Sequence, residues 1–228
     1  NSIDRQIGFL TKKAKSNERG IKEELNLLTR LLNNLSDGIA VRDANFTDVD
    51  ENRIRLLNLL SAKPILYVCN VGEKAAGTGN ELSERVAAYA DQKGTGFVFI
   101  SAKIEAEISQ LRDEHEKIEF LETIGLKETG LARLIQAGYS LLNLITYYTA
   151  GPNEARAWTV AQGTRAHEAA GRIHSDFERG FICAETITGS DYLSLGGEAA
   201  ARLEGKLRQE GKDYIIQEGD VILYRFNV

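Results

Sequence analysis

Two short loops carry the donor and acceptor groups needed to read the edge of a bound ligand. Asn70, Val71 and Glu73 close the stretch KPILYVCNVGE (63–73), and Ser101, Ala102 and Lys103 close FVFISAK (97–103). In both, an apolar run breaks into a polar loop, as a buried parallel strand does where its C-terminal end opens onto a ligand crevice. Asn70 offers an amide oxygen and an NH2 group, Glu73 offers a carboxylate, and the backbone around Val71 is expected to be free to meet a ligand. Ser101 stands where it would N-cap the next helix, with the backbone of Ala102 and Lys103 facing the crevice. Either loop alone is ordinary, since Asn caps turns well. Two such loops in succession, each after an apolar strand, make the candidate site.

Other residues invite chemistry with less support. His174 in GRIHSDFERG lies beside Asp176 and Glu178, but no serine or cysteine nucleophile accompanies it, and it reads as a hydrogen-bonded turn residue. His115 and His167 read as surface helix positions. Three histidines and two distant cysteines, Cys69 and Cys183, give no metal-ligand spacing, so no metal site is expected. Cys69 abuts the first loop and is expected to be a buried, inert thiol. Glu105, Glu107, Asp113, Glu114 and Glu116 are expected on one helix as a solvated acidic face rather than an acid–base pair. Arg156, Arg165, Arg172, Arg179, Lys206, Arg208 and Lys212 around Trp158 could form an RNA-facing patch, although a strand tryptophan normally packs in a core. No residue is assigned a catalytic role. The chain contains no G-x-x-x-x-G-K-[ST] segment, the Gly-rich loop that would cradle phosphates.

The elements that must position these loops follow from periodicity. Ile3, Ile7, Leu10 and Ala14, then Ile21, Leu25, Leu28, Leu32 and Leu35, recur at helical spacing, with KSNERG (15–20) interrupting them. An antiparallel helical hairpin is expected, with Lys12, Lys13, Lys15 and Arg19 clustered at its tip, either as a solvated end or as a docking point. ENRIRLLNLLSAK (51–63) predicts a helix with Ile54, Leu57 and Leu60 on one face, ended by Pro64. Helix over 81–93, strand over 97–100, and helices over 104–124 and 131–142 then alternate, which implies a parallel sheet with covering helices. From Leu144 the texture changes. LITYYTAG and EARAWTVAQG predict two strands around a turn at Gly151, Pro152 and Asn153. RAHEAAGRIH predicts a short helix, FICAETI a strand, 198–211 a helix-prone stretch, and DYIIQEGDVILYRFNV two strands around Glu218, Gly219 and Asp220. This second half reads as a small α+β domain.

At 228 residues, 43% hydrophobic and 27% charged, the composition is that of a globular domain or two. No apolar run approaches the roughly twenty residues of a membrane span, so no membrane partner is expected. The N-terminus lacks the order of a signal peptide. Cysteines inside apolar runs point to a reduced, cytoplasmic setting. A net charge of −5 argues against general polyanion attraction, so DNA binding is not expected and any RNA contact needs a local patch. The sequence starts at Asn1 and has no methionine, and it is expected to be a fragment of a longer protein.

The two loops resemble those of P-loop GTPases, where N-K-x-D and S-A-K loops grip the base. Guanine selection there uses the Asp carboxylate, which accepts from guanine N1–H and N2–H2 and meets a lone pair on adenine. Here Asn70-Val71-Gly72-Glu73 replaces that motif, and its chemistry leans toward adenine. Over nearly its whole length the chain resembles the Obg-like ATPases of the YchF type, through KKAK, KPILYVCNVGE, SAKIEAEI, IEFLETIGL, GLARLIQAGYSLLNLITYYTAGP, EARAWTV, AAGRIHSDFERGFICAE and EGKDYIIQEGDVILYRFNV. The resemblance implies an α/β fold: an α-helical coiled-coil arm and return helix (1–62), the C-terminal half of a P-loop G domain with a parallel sheet (63–143), and an α+β TGS domain of β-grasp type (144–228). It implies a ribosome-associated ATPase that takes ATP with Mg²⁺ and regulates translation or stress responses. In it, Asn70, Val71, Glu73, Ser101, Ala102 and Lys103 fall on the base-binding loops, and the P-loop and Mg²⁺ ligands fall upstream of Asn1. The alternative is a non-enzymatic adapter that binds the ribosome or its RNA through the arm and C-terminal surfaces.

Overall fold

The computed structural model describes residues 2–13, 19–151 and 154–227. The chain divides into two compact units, Asn1–Cys69 with Asn80–Phe97, and Asn70–Gly79 with Val98–Val228.

In the first unit, α1 (Ser2–Lys13) and α2 (Arg19–Ser36) pack along the expected stripe, with Ile3 and Leu10 of α1 buried in one cluster with Leu27, Leu28 and Leu31 of α2. The expected turn between them, with Ala14, Lys15 and the side chain of Arg19, lies outside the described residues. Helix α3 (Asp48–Leu56) starts at Thr47, whose hydroxyl accepts from Asp50 N at 3.3 Å. It ends earlier than its sequence predicts: Asn58 adopts φ 48°, and Leu60–Ala62 forms a single 3-10 turn. Asn tolerates the left-handed region better than other side-chain-bearing residues, so the helical period breaks there. Ile54 stays buried while Leu60, expected on the same face, is 82% exposed.

Strand β1 (Leu66–Asn70) and strand β2 (Gly96–Ile100) pair as a two-stranded sheet. Between them runs α4 (Glu81–Gln92), opened by a reciprocal cap: Ser83 N donates to Asn80 Oδ1 at 3.0 Å, and Asn80 N donates to Ser83 Oγ at 2.7 Å. After β2 come α5 (Ala102–Ile108), α6 (Glu114–Thr123) and α7 (Gly130–Leu141). The one acidic helix expected over 104–124 is therefore two. Asp113 makes the break, its carboxylate accepting from His115 N at 3.2 Å as the N-cap of α6. Ile104 and Ile108 of α5, Leu121 of α6 and Ala76 form their common core.

The chain then builds a five-stranded mixed sheet in the order β4-β3-β7-β5-β6. Strands β3 (Leu144–Ala150) and β4 (Ala155–Ala161) are antiparallel, in register from Leu144 opposite Ala161 to Ala150 opposite Ala155. Pro152 and Asn153 of their connection lie outside the described residues. Helix α8 (Ala166–Ile173) covers the sheet through Ala166, Ala169 and Ala170, packed on Tyr147, Val160, Ile222 and Tyr224. Next come α9 (Ser175–Arg179), β5 (Phe181–Thr188), α10 (Gly189–Leu195), α11 (Glu198–Leu203), β6 (Arg208–Glu210) and β7 (Asp220–Phe226). Strand β7 lies parallel to β3 and antiparallel to β5.

Two expectations for this half change. The stretch 198–211 is helical only to Leu203 and supplies the edge strand β6. The segment 213–217 is no strand, apart from one bridge between Arg165 and Ile215. The cause is Asp220, 2% exposed, whose carboxylate accepts from Tyr214 Oη at 2.8 Å and from Gln217 N at 2.9 Å. A buried carboxylate needs such donors, and the chain before it folds around the carboxylate instead of extending.

Candidate functional site

The loops that follow β1 and β2 meet. Val71 N donates to Ile100 O at 2.8 Å, Ala102 N donates to the Asn70 side-chain oxygen at 3.1 Å, and the Lys103 ammonium pairs with the Glu73 carboxylate. All six residues singled out in the sequence thus stand at one place, the ends of two adjacent strands.

Their roles differ from expectation in three ways. Ser101 occupies the N-cap position of α5 but makes no capping bond; its hydroxyl is buried with no partner among the described residues. Asn70 caps the helix in its place, reaching across from the other loop to the first free amide. The Val71 N–H, expected to be open to a ligand, is already spent on Ile100. One oxygen of the Glu73 carboxylate takes the Lys103 ammonium, and that hydrogen bond and charge, aided by the charge of Glu107, hold the ammonium above the ordinary lysine range. With 48% and 69% of their side chains exposed, Glu73 and Lys103 form a solvent-screened surface pair.

What remains for a ligand is a short set of groups. Among the described residues, the Asn70 NH2 meets no acceptor, the Val71 carbonyl meets no donor, and the Ser101 hydroxyl stands alone. The Asn70 NH2 supplies two N–H donors, the Val71 carbonyl and the second Glu73 oxygen are acceptors, and the Ser101 hydroxyl is buried.

The remaining candidates divide. His174 N-caps α9, its Nδ1 accepting from Asp176 N at 3.2 Å, in line with a turn residue. Cys69 and Cys183 are free thiols, and both are half-buried rather than buried. Glu105 is not simply part of a solvated face: its carboxylate accepts from Gly130 N at 2.7 Å. Trp158 is partly packed on the core, donates to Thr149 Oγ1 at 2.9 Å, and carries the Arg156 guanidinium 4.4 Å above its ring. Of the basic patch, Arg165, Arg179, Lys206 and Arg208 each face a carboxylate, which drains its positive field. Among the described residues no group of His, Cys, Asp and Glu could hold a metal ion, and no helix is long and apolar enough to cross a membrane. A cavity of about 520 Å³ lies among Val41, Phe46, Ile54, Arg55 and Lys63 and touches none of the six loop residues.

A family model described as YchF-GTPase_C, protein of unknown function (DUF933), matches residues 144–227. The chain is 45% identical over 229 residues to a protein of Bacillus subtilis (strain 168) named ribosome-binding ATPase YchF, covering all of this chain and 62% of that protein. A protein of the same name from Haemophilus ducreyi is 46% identical over 227 residues, with the same two coverages. The chain thus spans 62% of the length of these relatives. Among solved structures, that of the Schizosaccharomyces pombe YchF GTPase superposes with a TM-score of 0.79 at 28% identity, covering 98% of this chain and 63% of that one. Similarity of this extent, running through both loops and the mixed sheet, makes the chain a member of the YchF family.

Proposed function

We propose that this chain is the base-selecting and C-terminal part of a cytoplasmic, ribosome-associated ATPase that regulates translation or stress responses. In this reading residues 1–62 are a coiled-coil arm with its return helix, 63–143 the second half of a G domain, and 144–228 a TGS domain of β-grasp type. The match of the family model begins at residue 144, where the third part is drawn. The ribosome enters through the names of the relatives, and the nucleotide through those names and the two loops.

The observation that carries the reading is the crossed contact of Asn70 with Ala102, which joins the two loops and leaves a defined set of unused groups. An adenine presents a donor at its N6 amine and acceptors at N1 and N7. The Val71 carbonyl complements the amine, and the Asn70 NH2 complements a ring nitrogen. Guanine would require a carboxylate turned to N1–H and N2–H2, and the Lys103 ammonium competes for the Glu73 carboxylate. The residues present therefore fit a purine base and favour adenine. They do not fit a triphosphate or Mg²⁺: the described residues hold no metal-binding cluster and the sequence no Gly-rich phosphate loop. No hydrolytic step is assigned to this chain.

The test is a titration of the protein expressed from its complete gene with ATP and GTP in the presence of Mg²⁺. Tighter binding of ATP, lowered by Asn70→Asp, is expected; equal affinity for the two nucleotides would remove the base preference. A second reading, a non-enzymatic adapter, draws on Leu193 and Leu203, 82% and 89% exposed on α10 and α11. Absence of ATP turnover in the complete protein would favour it.

A further inference from the structure

We propose that Glu105 and Arg133 are positioning residues that hold the two base-facing loops from behind, through the first turn of α7. The inference rests on the base-site reading above and concerns residues outside the six.

Helix α7 begins where both loops are anchored. Its N-cap, Thr129, accepts from Ala132 N at 3.0 Å, which leaves the amide of Gly130 for another acceptor. That acceptor is Glu105, one turn into α5, at 2.7 Å. Since α5 starts at Ala102, the bond fixes the helix that carries Ala102 and Lys103. The seat is tight: a Cβ on Gly130 would stand 2.9 Å from Glu105 Oε1 and 3.1 Å from Ile100 Cγ2. Gly130 is therefore required for close approach, and it brings α7 against Ile100, whose carbonyl receives Val71 N.

Further along the same turn comes the hold on the first loop. The Arg133 guanidinium donates to the carbonyl of Ala76 at 3.0 Å, across 57 residues of sequence. Ala76 is 3% exposed and packs in the core shared by α5 and α6. It closes the 3-10 turn Glu73–Ala75, so the bond fixes the turn that presents Glu73. Nε of Arg133 is buried without a partner among the described residues. Reach is what the arginine supplies despite that cost, since its long side chain and planar head attain a carbonyl that a shorter one would miss. Neither residue touches the unused groups of Asn70, Val71 and Ser101. Both act through backbone they hold.

The test uses the protein from the complete gene, with ATP and GTP as substrates and hydrogen–deuterium exchange as an independent readout. In Arg133→Ala the KM for ATP is expected to rise about tenfold, the loss of one charged hydrogen bond, with kcat unchanged. The ratio of kcat/KM for ATP over GTP should fall toward one, and exchange should rise in 71–79 but not in β3 or α8. Glu105→Ala should raise exchange at 101–105 and move KM in the same direction. Glu105→Gln, whose amide oxygen still accepts from Gly130, should restore both. If Arg133→Ala does not fold, Arg133→Lys, with a shorter reach and one head group, is read instead. A folded Arg133 variant that keeps wild-type exchange in 71–79, or wild-type KM and base ratio, overturns the proposal. If the wild-type protein binds neither nucleotide, the base-site reading falls, and exchange alone then decides whether α7 holds the loops.

Discussion

Asn70 uses one end of its amide and leaves the other open, and substitutions can separate the two. Its oxygen caps α5 through Ala102 N, and its NH2 is left over. Asn70→Ala removes both, so stability should drop by about 1 kcal/mol, the usual worth of an N-cap, in a urea unfolding curve. Asn70→Asp keeps an acceptor for Ala102 and removes the donor. It should unfold at nearly the wild-type urea concentration and still lose affinity for ATP. If both variants lost stability equally, the cap would not be the role of the oxygen. Sequence alone exposed the chemical type of Asn70 but gave the cap to Ser101, because N-cap rules are local and the partner here lies 32 residues away.

At the scale of elements, the mixed sheet is closed by contacts between strands and helices remote in sequence. Glu185 on β5 receives Arg225 of β7 at 2.8 Å and Arg202 of α11 at 3.2 Å, with only 10% of its side chain exposed. The hydrogen bond from Arg225 holds the Glu185 carboxyl below its ordinary value, against the opposing effect of burial, with the charges of Arg225 and Arg202 adding. A carboxyl depressed in the folded state stabilises it above the ordinary carboxylate value, and that contribution fades as pH falls through the depressed one. Wild-type stability should therefore decline on acidification below about pH 4.5, and Glu185→Gln should flatten that decline when thermal unfolding is followed against pH. A pH profile identical in the two proteins would rule the contribution out. A second test lies where β5 begins. A Cβ on Gly180 would stand 2.1 Å from the carbonyl oxygen of Asn227, and Asn227 N donates to Gly180 O at 2.9 Å. Gly180→Ala should cost about 1–3 kcal/mol by displacing the end of the chain after β7. Wild-type stability in that variant would show that the C-terminal residues yield freely.

At the scale of the molecule, the prediction is one of association. If the complete protein docks on the ribosome through a shaped surface, co-sedimentation should survive raised salt with only a shallow loss. Loose attraction to RNA phosphate would decay steeply, by a factor of about 10³ or more between low and moderate salt for several phosphate contacts. Among the described residues, Arg165, Arg179, Lys206 and Arg208 of the mixed-sheet half each pair with a carboxylate, which favours the shallow outcome.

The sequence by itself determined what depends on local pattern. Helical spacing located α1, α2, α4 and α8, and apolar runs located β1, β2, β3, β4 and β5. The order of two strand-to-loop breaks located the six loop residues. Tertiary structure decided the matters that turn on a distant partner. It drew 214–220 around the buried carboxylate of Asp220 and made 208–210 an edge strand. It also moved Glu105 from an acidic face to a clasp on Gly130. The same holds for the site. Which residue types gather there was legible at Asn70 and Ser101, since strand ends and loop residues are written in composition. Which of their donors and acceptors remain free was not, because a hydrogen bond between loops about 30 residues apart has no local signature.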